Sequence, residues 1–269
     1  MKKLIFACVG LIAVAAALRT AVAAEADVYG PPPVVYGPPV TVVIFTWTGF
    51  YFGGHVGGGW GSKNETGTPY GFFNGILADT ITPAPTTVDV SGWLGGGQIG
   101  GNYQIGSFVF GAEADVSGAN LTGSSSCAST SLLNGALPPA NCKVKVEGVG
   151  TVAARLGVAF DRVLLYGKGG GAWASDKYSL TSPNANLLPT FNGSETKWGF
   201  MVGAGVEYAF YDNWSAKIEY NYMNLRTSNL QFTDATGTFL LNTSIQQQLH
   251  VVKAGINYRW GWAPVGVRY

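Results

Sequence analysis

From Trp47 onward the chain alternates apolar and polar positions with a period of two, over segments of ten to eighteen residues. That period marks β-strands whose two faces meet different surroundings. In 198–210, Trp198, Phe200, Val202, Ala204, Val206, Tyr208 and Phe210 fall on one face, while Lys197, Gly199, Met201, Gly203, Gly205, Glu207 and Ala209 fall on the other. Residues 143–160 repeat the pattern, setting Val144, Val146, Val152, Leu156 and Phe160 against Lys145, Glu147, Thr151 and Arg155. The last segment sets Val252, Ala254, Ile256, Tyr258, Trp260 and Trp262 against Lys253, Gly255, Asn257 and Arg259. Eight segments read this way, at about 47–61, 89–103, 108–120, 143–160, 163–179, 196–210, 214–225 and 246–262.

The connections alternate as well. Gln104–Ser107, Asp161–Arg162 and Tyr211–Asn213 are tight turns, and long polar stretches occupy 62–88, 121–142, 180–195 and 226–245. An even strand count with long and short connections in turn predicts an all-β fold, a transmembrane antiparallel up-and-down barrel of the outer-membrane type. Such a barrel must close, because lipid offers no partner to an unpaired backbone group. A soluble sandwich would show a polar outer face. Here the large aromatics share one face and the charges share the other with glycine. The apolar face therefore turns to lipid, with Trp47, Trp60, Trp93, Trp173, Trp198, Trp214, Tyr258, Trp260 and Trp262 as the expected aromatic girdle. Glycine belongs inside, where an eight-stranded barrel leaves room only for side chains to fill. The expected lumen charges are Glu113, Asp115, Glu147, Glu207 and Glu219 against Lys145, Arg155, Lys168, Lys217, Lys253 and Arg259. Five acids and six bases nearly balance, and buried charges must pair. They read as a structural plug, with a selective channel as the alternative use of the same residues.

Composition agrees with this picture. The 269 residues include 39 glycines, only 31 charged side chains, 8 Trp, 13 Tyr and 14 Phe. Charge at about half the usual level excludes a disordered chain, which needs the opposite balance. The start decides the compartment: Met1-Lys2-Lys3, an apolar run from Leu4 to Leu18 and Ala21-Val22-Ala23 form a secretory signal peptide over 1–23. Its core is too short to span a bilayer. Cleavage there removes Lys2, Lys3 and Arg19 and no acid, leaving 13 bases against 15 acids, a net charge of −2. No nucleic-acid partner fits that balance. Residues 24–46 form a Pro-rich periplasmic leader, and 47–269 the barrel. Two cysteines remain, Cys127 and Cys142, and in an exported chain they read as one disulfide.

Chemistry is sparse. Gly95-Gly96-Gly97-Gln98-Ile99-Gly100 fits a dinucleotide fingerprint, but a turn and a strand follow where the motif needs a helix. His55 sits mid-strand on the inward face, where a carboxylate such as Glu207 or Glu219 is its expected partner; His250 lies near the outer end of the last strand. No spacing singles out a Ser–His pair, so no catalytic, metal or cofactor residue is named, and the chain reads as a non-enzyme.

Several stretches together resemble a known family: Trp47-Thr48-Gly49-Phe50-Tyr51-Phe52-Gly53-Gly54-His55-Val56-Gly57-Gly58-Gly59-Trp60-Gly61, Gly95 to Gln104, Leu165 to Ala174, Trp198-Gly199 and Asn213 to Tyr220. They are similar to the small outer-membrane "porin family" barrels of rhizobia-type alphaproteobacteria, related to OmpA-like surface proteins. The resemblance implies a cell-outer-membrane protein acting in envelope integrity and host contact. Its implied partners are outer-membrane lipid and lipopolysaccharide, the barrel-assembly machinery and a surface ligand at the loops. Haem binding is proposed for some members, and a haem- or lipid-binding protein stands as another alternative beside the small-pore channel. Family members end at the aromatic residue that closes the last strand. Here Ala263 to Tyr269 follow Trp262, and either Trp262 or Tyr269 serves as the assembly signal.

Overall fold

The computed structural model describes residues 45–67, 70–74, 77–131, 135–136, 140–181, 191–233 and 239–260. The expected signal peptide, most of the leader and the terminal Trp262 and Tyr269 lie outside the described residues.

Among the described residues twelve strands occur in chain order: β1 (Gly49–Gly67), β2 (Tyr70–Asn74), β3 (Leu77–Pro83), β4 (Thr86–Ile105), β5 (Phe108–Cys127), β6 (Ser129–Ser131), β7 (Gly135–Ala136), β8 (Ala140–Phe160), β9 (Val163–Thr181), β10 (Phe191–Ala209), β11 (Trp214–Thr233) and β12 (Phe239–Trp260). Eight of them close a barrel in the order β1-β12-β11-β10-β9-β8-β5-β4, every neighbour antiparallel. The remaining four form a small separate sheet, β2-β3-β6-β7, within stretches expected to be loops. Closure pairs every edge, which is the condition for crossing lipid.

The three short turns stand where expected. Gly106 and Asp161 adopt positive φ (59° and 51°), as tight hairpins require. At the opposite end the barrel strands run two to eight residues beyond the alternating segments. Ser62 to Thr66, for example, is polar on both faces and carries no period-two signal. It nonetheless continues β1, with Lys63 opposite Gln247 and Val88.

Large aromatics and aliphatics cover the outer wall, Phe50, Phe52, Trp93, Trp198, Phe200 and Trp260 among them. One girdle residue departs from expectation. Trp47 is 1% exposed and lies under the barrel floor, its Nε1 donating to the Asp161 carbonyl at 3.0 Å. It precedes β1, so strand alternation never governed it. Trp262 lies outside the described residues.

Glycine divides between the two sides. Gly57, Gly96, Gly170 and Gly203 face inward, where an added Cβ would strike a neighbouring strand. Gly54, Gly95, Gly167, Gly169 and Gly171 face lipid, where a Cβ would meet only ordinary contacts of 3.5 Å or more. The expectation that glycine belongs inside therefore holds for one set only.

One irregularity changes which residues are inside. Along β9, Ser175 and Asp176 are consecutive, yet they pair with Gly148 and Val146 of β8. Glu147 is the extra residue of a β-bulge, and an inserted residue reverses the inward and outward sets beyond it. Below the bulge Val149, Thr151, Ala153 and Arg155 point inward; above it Val144 and Val146 do. Lys145 and Glu147, expected in the lumen, therefore stand on the outer wall. Their side chains pair there at 3.3 Å, and Lys177 reaches Glu147 at 2.8 Å.

Candidate functional site

Every barrel strand contributes polar groups to the lower lumen. β5 supplies Glu113 and Asp115, β8 Arg155, β9 Lys168, β10 Glu207, β11 Lys217 and Glu219, and β12 Lys253. Tyr51 and His55 come from β1 and Gln98 from β4. All of these are buried. Four carboxylates meet four cations, so the charges cancel inside a space closed to solvent.

Glu113 is the hub. Its Oε1 accepts from Lys168 Nζ at 2.9 Å, and its Oε2 accepts from Lys217 Nζ at 2.8 Å and the Tyr51 hydroxyl at 2.8 Å. Arg155 donates through Nη1 to the Tyr51 oxygen and through Nη2 to Glu207 Oε2, both at 2.8 Å. Its guanidinium lies 3.9 Å above the centre of the Tyr166 ring, and Tyr166 donates to Glu219 at 3.0 Å. Glu219 also takes Lys168 at 2.9 Å and Lys217 at 3.3 Å. Asp115 holds Lys253 and accepts from Thr151. Glu207 is completed by Ser215 and by Asn257, the latter at 2.8 Å. Such an arrangement offsets the cost of burying each charge through several partners.

Of the eleven expected lumen charges, Glu113, Asp115, Arg155, Lys168, Glu207, Lys217, Glu219 and Lys253 converge. Arg259 is buried but sits in the floor, donating to the carbonyls of Thr46 and Asp212 and packing over the Phe45 and Trp47 rings. A second ion pair went unanticipated: Lys63 meets Asp176 at 2.8 Å near the outer end of the lumen. Lys63 belongs to a stretch read as loop, and no apolar neighbour marked it as inward.

Between these levels the lumen is apolar. Leu94, Leu121, Val146, Met201, Met223, Leu225, Leu249 and Val251 form one buried cluster directly above the charged layer. Sequence patterning placed the apolar face wholly outward and missed this second core. The signal was present in 88–94, where Val88, Val90 and Leu94 share the parity of inward Gln98.

The histidines separate. His55 is inward and bonded to Gln98 through Nδ1 and to Ser117 Oγ through Nε2 at 2.7 Å, not to a carboxylate. This is a Ser–His contact that spacing had not revealed, but an amide stands where a triad needs an acid, and the hydroxyl is buried. His250 faces outward, stacked on Trp60 with centroids 5.8 Å apart and accepting from or donating to the Tyr220 hydroxyl at 2.6 Å. Five register positions and the barrel wall keep the two apart. At the outer end Cys127 and Cys142 form the expected disulfide, joining β5 to β8 with Cα atoms 5.9 Å apart.

A closed eight-stranded ring with an apolar outer wall is the geometry against which known proteins can be compared. A family model described as outer membrane protein beta-barrel domain matches residues 45–259. The chain belongs to this family. The 31 kDa outer-membrane immunogenic protein of Brucella melitensis is 34% identical, over 93% of this chain and 98% of that protein. The 25 kDa outer-membrane immunogenic protein of Brucella abortus is 27% identical, over 93% and 97% of the respective chains. A 22 kDa outer membrane protein of Rhizobium leguminosarum is 29% identical over 68% and 67%. The protein is an outer-membrane β-barrel, and the cell outer membrane is its location.

Proposed function

We propose that this outer-membrane barrel is a non-conducting, non-enzymatic surface protein that anchors extracellular loops, adding to envelope integrity and to contact with a host or the environment. The observation that carries the reading is the double seal of the lumen. Four acids and four bases satisfy one another below, and a buried apolar layer lies above them. Ions cross neither layer without breaking buried pairs or entering an apolar core, and either costs several kcal/mol. The relatives from Brucella bear names that call them immunogenic, which suits a barrel that presents loops outside the cell.

Planar-bilayer recording of the refolded protein tests this. The expected trace is flat over minutes at 100 mV. Reproducible single-channel steps, abolished by Arg155→Ala or Lys168→Ala, would replace the anchor with a small-pore channel.

A further inference from the structure

The bulge at Glu147 leaves an unusual surface on the outer wall. Above it Lys143 and Lys145 point outward on β8, and Lys177 does so on β9. Lys145 and Lys177 are direct cross-strand partners and remain 46% and 63% exposed. Like charges set opposite one another across an antiparallel pair are destabilising. Lys143 follows on the same face, about 7 Å along β8. Among the described residues Glu147 pairs with Lys145 and Lys177, and Lys143 has no ion pair.

Hydroxyl and amide groups complete the face. Thr122, Lys145, Lys177 and Ser194 form one row across four strands, and Ser124, Lys143, Ser179 and Asn192 form the next. A groove of about 1050 Å³ runs over both rows. Its height is set by the girdle: Trp173 and Trp198 are a cross-strand pair, with centroids 5.5 Å apart, on the same outward face of β9 and β10. Lys177 lies four residues beyond Trp173, about 10 Å above it once strand tilt is allowed for. That is headgroup level, outside the hydrocarbon.

Below the girdle the same strands form an apolar notch of about 670 Å³. Phe110 and Leu156 wall it, and Ala154, Gly167 and Gly169 make its base. A cationic, hydroxyl-rich groove therefore stands above a smooth slot in the lipid-facing wall, with an aromatic pair between them.

We propose that this sector of β5, β8, β9 and β10 binds one phosphorylated glycolipid of the outer leaflet, its phosphate on Lys143, Lys145 and Lys177 and an acyl chain along the Ala154–Gly167–Gly169 slot. The position on the side wall favours a lipid over a soluble polyanion, which would meet the loop tips first. Ammonium–phosphate hydrogen bonds are charge-assisted and strong, and the phosphate relieves the Lys145–Lys177 repulsion. The site is independent of whether the lumen conducts.

The test uses protein refolded without glycolipid, then mixed in detergent with bis-phosphorylated lipid A and observed by native mass spectrometry. One lipid A per barrel is expected. The Lys143→Gln/Lys145→Gln/Lys177→Gln variant, verified as folded by its heat-modifiable gel migration, should bind at least about tenfold more weakly, the loss expected for charge-assisted contacts. Dephosphorylated lipid A should lose a similar factor. Gly169→Leu, whose Cβ meets nothing closer than 3.7 Å, should weaken binding by filling the slot. If the triple variant does not refold, Lys143→Gln alone must still lower affinity severalfold. Unchanged binding in a folded lysine variant overturns the site, and so does equal binding and displacement by a soluble sulfated polysaccharide.

Discussion

Glu113 accepts from Lys168, Lys217 and Tyr51 and lies 3.6 Å from Arg155, so three of the four lumen cations converge on it. Glu113→Gln keeps the shape and removes the charge, leaving three buried cations short of an anion. Removing one partner of a buried pair costs about 3–5 kcal/mol. The urea midpoint of the refolded variant should fall accordingly, whereas the same change at surface Asp212, paired with exposed Arg162, should leave it within measurement error, because surface pairs contribute little. The eight charges of the lower lumen were legible in the sequence because each lies on the polar parity of its strand, whereas the buried Lys63–Asp176 pair was not. The partners of those eight were not legible either, since Glu113 and Lys217 stand 104 residues apart and meet only when the ring closes. Trp47 shows the converse: an aromatic next to a strand reads as girdle until the chain is seen to turn beneath the floor.

Among the elements, β8 shows how one inserted residue outweighs a long pattern. Its alternation reads continuously from Lys143 to Phe160, because Val144 and Val146 match Val152 and Leu156 in kind. A period-two reading cannot detect a parity reversal when apolar residues occupy both sides of it. Deleting Glu147 removes the bulge and joins Val146 directly to Gly148, so the pairs with Asp176 and Ser175 become continuous, Val144 and Val146 stay inward and Lys143 and Lys145 stay outward. The expected result is a barrel that still folds, seen as retention of the heat-modifiable gel species. Val146→Lys, which buries an unpaired charge in the upper core, should abolish that species. The outer ends of the strands were underestimated for a related reason: where both faces are polar, as in Ser62 to Thr66, backbone pairing with β12 and β4 extends a strand that side-chain pattern does not announce.

For the molecule as a whole, stability resides at three levels of the barrel: the floor around Trp47 and Arg259, the charged layer, and the apolar layer capped by Lys63 and Asp176. The Cys127–Cys142 bond lies beyond all three, at the outer end of β5 and β8. It closes a loop of 15 residues, for which constraint of the unfolded chain contributes roughly 3 kcal/mol. Reduction should lower the unfolding free energy obtained from urea titration by that amount and leave the unboiled gel mobility unchanged, since no barrel pairing depends on it.

The barrel follows from the amino-acid pattern alone: period-two segments, an even number of them, tight turns alternating with long connections, and aromatics on one face permit little else in lipid. Most of the buried charges follow from it too, because an inward position is set locally by its neighbours two residues away, but Lys145 and Glu147 fall on the outer wall and the Lys63–Asp176 pair was not foreseen. Who meets whom came from the fold. Cross-strand register, the bulge at Glu147 and the second core above the plug depend on strands far apart in the chain, and parity along one strand carries no information past an inserted residue. The outward lysines follow from that reversal, which is why a surface that reads as lumen in the sequence faces the membrane in the fold.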